Sequence, residues 1–327
     1  MNSRAVTDKR IDNYNFFGGN MTFAQRHKKF IDRTLSVLIP FSSIRKQVRY
    51  IVYHSCGTWQ GVCIAWRIMR DGKRFERICK QKYVPQLSVV AIMKNEAAYV
   101  REWIEYHKLI GVEKFFLYDN GSTDNTKEIL EPYIKSGIVE YVFFPGVQKQ
   151  RAAYDDCITH HRMDTVWLAV IDLDEFIVPV KFNNALELLK TIPASVAEAH
   201  IDWAIFGSSG HETKPDGLVL ENYVWRAKQS WFCKSIVNPR RVLEMLCHKH
   251  NVLGRVVDVP LECAQVNHYH CKSWQEYQLR QSRGDAYFGA DAAVLKYTRK
   301  TFDDHNKNEV QDVVAHKYLS QLKHALS

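Results

Sequence analysis

Asp172 and Asp174, in the run Asp172-Leu173-Asp174-Glu175, are the two side chains best placed by type and spacing to do chemistry. Carboxylates are hard oxygen donors. On extended backbone alternate side chains face one way, so this pair can share a hard divalent cation. Two acids so close repel one another unless a cation or a proton intervenes. They follow the apolar stretch Val166 to Ile171 and precede Phe176-Ile177-Val178, a setting in which uncompensated charge is costly. Two more polar clusters stand directly after apolar stretches: Lys94-Asn95-Glu96 and Asp119-Asn120-Gly121-Ser122-Thr123-Asp124. One such cluster is ordinarily a turn with a helix cap. Three of them point to ligand contacts.

The stretches around these clusters must bring them to one edge. Leu87 to Met93 is an unbroken apolar run of the kind buried on both faces of a parallel sheet. Helical spacing follows over about Ala98 to Leu109, then a strand at Phe115 to Tyr118 and a helix at Asn125 to Ser136 that Ser122, Thr123 and Asp124 can cap. A strand at Ile138 to Phe144, a helix at Gln148 to His160 and a strand at Val166 to Ile171 complete a βαβαβαβ order. Right-handed crossovers then predict an α/β fold, a nucleotide-binding three-layer sandwich whose ligands gather at the carboxyl ends of the strands.

The preceding segment reads differently. An amphipathic helix is expected over Phe23 to Leu38, stopped by Pro40, followed by strands at Val48 to Tyr53 and Val62 to Met69. Asp71-Gly72 is a hairpin signal before a further strand at Phe75 to Cys79. Residues 1–86 hold 17 Lys and Arg against 5 Asp and Glu, whereas the remainder holds 28 against 31. The basicity therefore belongs to an N-terminal appendage, and the near-neutral body is not built to track a phosphate backbone. The expected organisation is a basic appendage over 1–86 (helix plus hairpin), a main domain over 87–290 and a polar helical tail over 291–327. A basic arm suits docking to an anionic membrane surface.

The clusters, taken with Glu102-Trp103-Ile104-Glu105-Tyr106-His107, with Trp203-Ala204-Ile205-Phe206-Gly207-Ser208-Ser209-Gly210 and with Asn267-His268-Tyr269 and Lys272-Ser273, resemble glycosyltransferase family 92. More broadly they are similar to GT-A glycosyltransferases of the family 2 type. The resemblance implies a GT-A-like fold and transfer of a hexose, such as galactose, from a nucleotide sugar, typically a UDP-sugar, to a glycan or lipid-linked glycan, with inversion. It implies that Asp172, Asp174 and His268 hold manganese or magnesium, and that Lys94, Glu96, Asp119, Asn120, Arg151 and Asp172 contact the nucleotide sugar. His270 is a second imidazole candidate. No Glu-Asp pair follows the glycine-rich loop as it does in the GT-A pattern, so Glu212 is taken as the base, with Asp202 and Glu221 behind it. Trp203, Trp231 and Lys272 are the candidates for sugar or acceptor contact.

Three rival readings use the same residues. A zinc site could draw on Cys247, His248, His250, Cys263, His268, His270 and Cys271, but no Cys-x-x-Cys pair occurs. A nucleic-acid binder could use the basic arm with Tyr50, Tyr53, Trp59 and Trp66 as stacking platforms; the neutral body argues against a nucleic-acid partner. A glycosidase needs its two carboxylates to straddle a bond, which Asp172 and Asp174 sit too close in sequence to do. The first 25 residues lack an apolar core, and Tyr50 to Trp66, though free of charge, contains polar residues and two glycines. No signal peptide or transmembrane helix is expected, and the expected location is cytoplasmic and peripheral at the membrane. Eight scattered cysteines read as reduced.

Overall fold

The computed structural model describes residues 58–230, 232–283 and 297–327, with Asp32, Arg33, Ser36, Val37 and Arg45 before them. The chain divides into two compact units, 1–63 and 64–327. In the first, Asp32, Arg33, Ser36 and Val37 are helical, within the expected helix; the expected strand at 48–53 and Trp231 lie outside the described residues.

One expectation fails outright. Helix α1 (Thr58–Gln81) runs through both the second expected strand and the hairpin. Asp71 and Gly72 do not turn, because the helix buries Ile68, Asp71 and Phe75 along one stripe and gives Asp71 a partner. The Arg162 Nε donates to the Asp71 carboxylate at 3.0 Å, and the Arg240 guanidinium lies over the Phe75 ring at 3.7 Å. Gly72 has open space where a Cβ would be, so nothing there requires a turn.

The rest follows the alternation. Strand β1 (Leu87–Met93) is followed by α2 (Val100–Leu109), β2 (Lys114–Asp119), α3 (Thr126–Lys135), β3 (Val139–Phe143), α4 (Gln150–His161), β4 (Trp167–Val170) and β5 (Glu175–Val178). Then come α5 (Ala185–Thr191), β6 (Val196–Ile205), the single turn α6 (Val219–Asn222), β7 (Trp225–Arg226), β8 (Cys233–Val237), β9 (Val242–Glu244), β10 (Asn251–Val252), β11 (Arg255–Val259) and β12 (Gln265–His268). Helices α7 (Trp274–Arg283) and α8 (Arg299–His305), strand β13 (Val310–Gln311) and α9 (Leu319–Leu326) close the chain.

The main sheet runs β3-β2-β1-β4-β8-β6-β12-β5. Its first four strands are parallel, and β8 is antiparallel to both neighbours. The far edge of β6 is shared by β11 over its first half and β12 over its second. Every residue of β1 is buried, and alternate ones enter different cores. Leu87, Val89, Ala91 and Met93 pack with Trp103 and Ile104 of α2, whereas Val90 and Ile92 pack with Tyr154 and Ile158 of α4. That is the three-layer sandwich, with helices on both faces. The α2–β2 connection needs Gly111, whose φ is +100° and where a Cβ would come within 2.8 Å of Leu186 Cγ. The C-terminal stretch is not only polar helix: β13 pairs with β7, and Ala315, Tyr318 and Leu322 belong to the larger core.

Candidate active site

The carboxyl ends of β2, β1 and β4 lie side by side, so the three polar clusters share one edge. Two of them are sewn together. Asn95 N donates to Ser122 Oγ at 2.9 Å, Thr123 N to Asn95 Oδ1 at 2.7 Å, Glu96 N to Thr126 Oγ1 at 2.9 Å and Ala97 N to Asp124 Oδ2 at 3.1 Å. The polar residues of these loops thus hold two strand ends in register. Asp119, at the end of β2, accepts from Ser122 N at 2.7 Å and from the Tyr141 hydroxyl at 2.6 Å. It lines a cavity of about 350 Å³ with Asp124, Lys127 and Phe143. Asn120 stands beside it with a buried Oδ1 that has no hydrogen-bond partner among the described residues. Lys94 is half-buried and Glu96 buried after β1.

The third cluster is the acidic one. Asp172 and Asp174 flank a turn rather than an extended strand, closed by Glu175 N donating to Asp172 O at 3.1 Å, with Leu173 turned into the core. The carboxylates still converge: one oxygen from each of Asp172, Asp174 and Glu175 lies within 4.8 Å of the others. A second group brings Asp174, His268 and His270 together within the same limit. His268 arrives because β12 runs antiparallel to β5 and pairs His268 with Glu175. Its ring packs on Trp203, centroids 4.2 Å apart, and its Nε2 lies 3.5 Å from Asp174 Oδ2. Trp203 therefore braces His268.

Each acid meets a cation of the protein. Lys234 on β8, buried, places its Nζ 2.7 Å from Asp172 Oδ2 and 3.4 Å from Glu175 Oε2. Arg280 on α7 donates to Asp174 Oδ2 at 2.6 Å. Gln150 and Tyr154 on α4 both donate to Asp172 Oδ1 at 3.1 Å. Burial alone would raise the Asp174 carboxyl, but Arg280 and His268 outweigh it and hold it well below the usual carboxylate range. Burial, with Asp172 and Asp174 close by, pushes Glu175 well above that range against the pull of Lys234. Burial would lower Lys234, and Asp172 and Glu175 overcome it. Burial, then Arg280 and His268, depress His270, so its imidazole is neutral.

This donor set fits a divalent cation. It offers carboxylates and neutral imidazole in the form that ligates, and it leaves Glu175 Oε1 and His268 Nδ1 buried without hydrogen-bond partners among the described residues. Among the described residues no group of three potential ligands includes a cysteine, which removes the geometry for the thiolate zinc site.

Other expected residues lie elsewhere. Arg151 turns outward, paired with Glu244 and, at 3.7 Å, Asp155; its neighbour Gln150 is the one that reaches Asp172. Glu212 is exposed in a bidentate pair with Arg299, which lowers its carboxyl pKa. Asp202 is exposed, and Glu221 pairs with Lys323 at 2.6 Å. Lys272 is buried above the Tyr99 ring, Nζ 3.4 Å from its centroid. Lys234 was missed, although a lone lysine inside Cys233-Lys234-Ser235-Ile236-Val237 is a readable anomaly. Arg280 sits among polar residues and gave no such signal.

The sequence profile of glycosyltransferase family 92 matches residues 89–322, which spans every cluster described above. The chain belongs to glycosyltransferase family 92. Family 92 proteins of Ricinus communis and Arabidopsis thaliana are each 29% identical to it, over 216 and 224 residues, covering 63% of this chain and 39% of theirs. One of Oryza sativa subsp. japonica is 28% identical over 214 residues, with 63% and 36% covered. The chain thus spans under two fifths of the length of these family 92 relatives. Among solved structures, residues 1–349 of S. aureus TarS in complex with UDP are 13% identical with a TM-score of 0.36, covering 67% of this chain and 71% of that one. Glucosyl-3-phosphoglycerate synthase of Mycobacterium tuberculosis, in complex with Mn2+, UDP and glucosyl-3-phosphoglycerate, is 16% identical with a TM-score of 0.23, covering 36% and 44%.

Proposed function

We propose that this family 92 chain transfers a hexose, with inversion, from a UDP-sugar to a glycan or lipid-linked glycan, using a divalent cation, Mn2+ or Mg2+. The observation that carries the reading is a pair of ligand groups at the strand ends of a family 92 chain, Asp172 with Asp174 and Glu175, and Asp174 with His268 and His270, joined through Asp174. Asp172, Asp174 and His268 would hold the cation. When bound, it supplies positive charge opposite the departing diphosphate. Lys94, Glu96, Asp119, Asn120 and Arg151 are assigned to the nucleotide sugar, and the cavity beside Asp119 supports a base or ribose contact. Arg151 takes that part only on leaving Glu244.

In the transfer, the acceptor oxygen forms its bond to the anomeric carbon as the bond to diphosphate breaks. Its proton passes to a carboxylate, for which Glu212 stands once released from Arg299. Trp203, half-buried against His268, positions that imidazole in addition to any sugar contact. The deciding experiment follows UDP release from a panel of UDP-hexoses with and without manganese. The expected result is release from one donor, dependent on acceptor and lost in EDTA; no release from any UDP-hexose would refute the reading. Glu212→Gln should lower kcat without weakening UDP binding, and unchanged kcat would remove Glu212 as base.

The basic appendage is assigned to an anionic membrane surface. No helix among the described residues is long and apolar enough to cross a membrane. The exposed face of α1 supports surface contact instead, with Trp66 and Met69 beside Arg70, Lys73 and Arg77. Sedimentation with phosphatidylserine vesicles should fall with added salt, and Trp66→Ser should weaken it; no sedimentation at low salt removes the assignment.

A further inference from the structure

A second cavity, of about 730 Å³, lies beneath α7 and is walled by the loops entering α2 and α3. Its lining includes Tyr99, Lys214, Lys272, Glu276 and Arg280. Apart from Lys272 it shares none of the side chains assigned above to donor, metal or base, although Asp124 lines both this cavity and the one beside Asp119. Arg280 forms a common wall, since the same guanidinium holds Asp174.

Cations gather in this cavity. The Lys214 and Lys272 ammonium groups lie 4.8 and 3.4 Å from the centroid of one ring, Tyr99. Arg280 adds a third cation to the wall. Two acids also line it, and both are occupied. Glu276 accepts from Ser273 Oγ at 2.6 Å and from the Tyr223 hydroxyl at 2.6 Å, and also from the Tyr99 hydroxyl. Asp124 accepts from Ala97 N at 3.1 Å and from Thr126 N at 3.1 Å.

Lys272, by contrast, is 6% exposed, and its Nζ makes no hydrogen bond among the described residues; the carboxylates of Glu96, Asp174 and Glu276 reach it only through space. Its φ of +49° is in the left-handed region, which a lysine rarely adopts. A buried ammonium without an acceptor is costly, and a backbone held in a sparsely populated conformation to keep it there asks for a compensating ligand. The chemistry that satisfies it is an oxyanion.

We propose that this cavity binds an anionic group of the acceptor, a phosphoryl or carboxylate group, with Lys272 as the buried contact and Lys214 at the rim. The acceptor is then an acidic glycan or a phosphorylated one. The inference rests on the transferase reading only for the word acceptor; binding of an oxyanion is testable without turnover.

The test is calorimetric titration of the UDP-loaded protein, in manganese, with inorganic phosphate, with digalacturonate and with uncharged galactobiose. Saturable binding of one of the two anions and not of galactobiose is expected. Lys272→Met should weaken it at least tenfold, while UDP affinity stays within twofold. Phosphate as the sole anion bound indicates a phosphorylated acceptor, and digalacturonate an acidic sugar.

Absence of anion binding, equal binding by Lys272→Met, or anion binding that is seen in UDP-free protein and lost on UDP loading would each overturn the proposal, the last by returning the cavity to the donor. Two readouts do not depend on folding of that variant. Lys214→Ala, at an exposed position, should weaken anion binding about threefold. In the unaltered protein, reductive methylation of Lys272 followed by mass spectrometry should slow when the anion is bound. Failure of the donor screen with anion binding intact would refute the transferase reading while leaving the site.

Discussion

The acidic turn after β4 and the cavity under α7 share a wall yet treat charge in opposite ways. At the turn, negative groups crowd together and the protein supplies the answering cations itself, Lys234 to Asp172 and Glu175 and Arg280 to Asp174. In the cavity, the acids are consumed by hydroxyls and amides, and Lys272 makes no hydrogen bond among the described residues, the carboxylates of Glu96, Asp174 and Glu276 acting on it only through space. The contrast separates two ways to prepare a site. Internal compensation holds geometry in the absence of a ligand, whereas a buried charge without a hydrogen-bond acceptor leaves part of the stability to be recovered on binding.

The contrast can be broken most sharply at Asp174. Asp174→Asn keeps the shape and removes the charge that Arg280 and His268 answer, and we expect turnover to fall by about two to three orders of magnitude in the UDP-release assay. Phosphate binding in the adjoining cavity should change little. Equal loss of both would mean that the two regions are one site.

Lys234→Met is the next largest effect. It removes the cation from between Asp172 and Glu175, both of which then lack compensation, and should cost about 3 kcal/mol in urea unfolding. Lys272→Met should cost far less or even stabilise, because no ion pair is broken. Similar costs for the two lysines would erase the distinction.

A last effect concerns the surroundings of both regions and grows only as pH falls. Burial depresses His107 to about 3 and His250 to about 4, from an ordinary value of 6.5. The unfolded chain therefore takes up protons between those values that the folded chain refuses. Stability is full above about pH 6.5 and declines as pH falls towards 4, by on the order of 3 kcal/mol for each imidazole in full. In His107 both ring nitrogens are in use, Nδ1 donating to Trp103 O at 2.8 Å and Nε2 accepting from Ile177 N at 3.3 Å. Unfolding by urea at pH 7.5 and 4.5 should show His107→Phe less stable at the higher pH and less sensitive to the drop. An unchanged pH slope would exclude His107 as the source.

How much of this was legible depends on the range of the forces involved. Strands β1 to β4 could be read because burial on both faces leaves an unbroken apolar signature, as in Leu87 to Met93. The nearness of Asp172 and Asp174 was legible too, though for the wrong local reason, since a turn rather than an extended strand brings them together. Helix α1 was misread because Asp71-Gly72 is a strong local turn signal, overridden by a distant arginine, Arg162, and by the burial of Ile68 and Phe75. Arg280 was illegible: a polar helix carries no mark of which cation will fold against an acid made long before it.

The antiparallel pairing of β12 with β5 sets a timetable. Asp174 leaves the ribosome well ahead of His268 and Arg280, so the nascent chain holds its acids before the imidazole and guanidinium that answer them exist. The β1–β4 layer can assemble from near neighbours, whereas the acidic turn matures only when β12 closes a long loop. A polypeptide stalled before that strand would own an ordered scaffold and an unfinished centre.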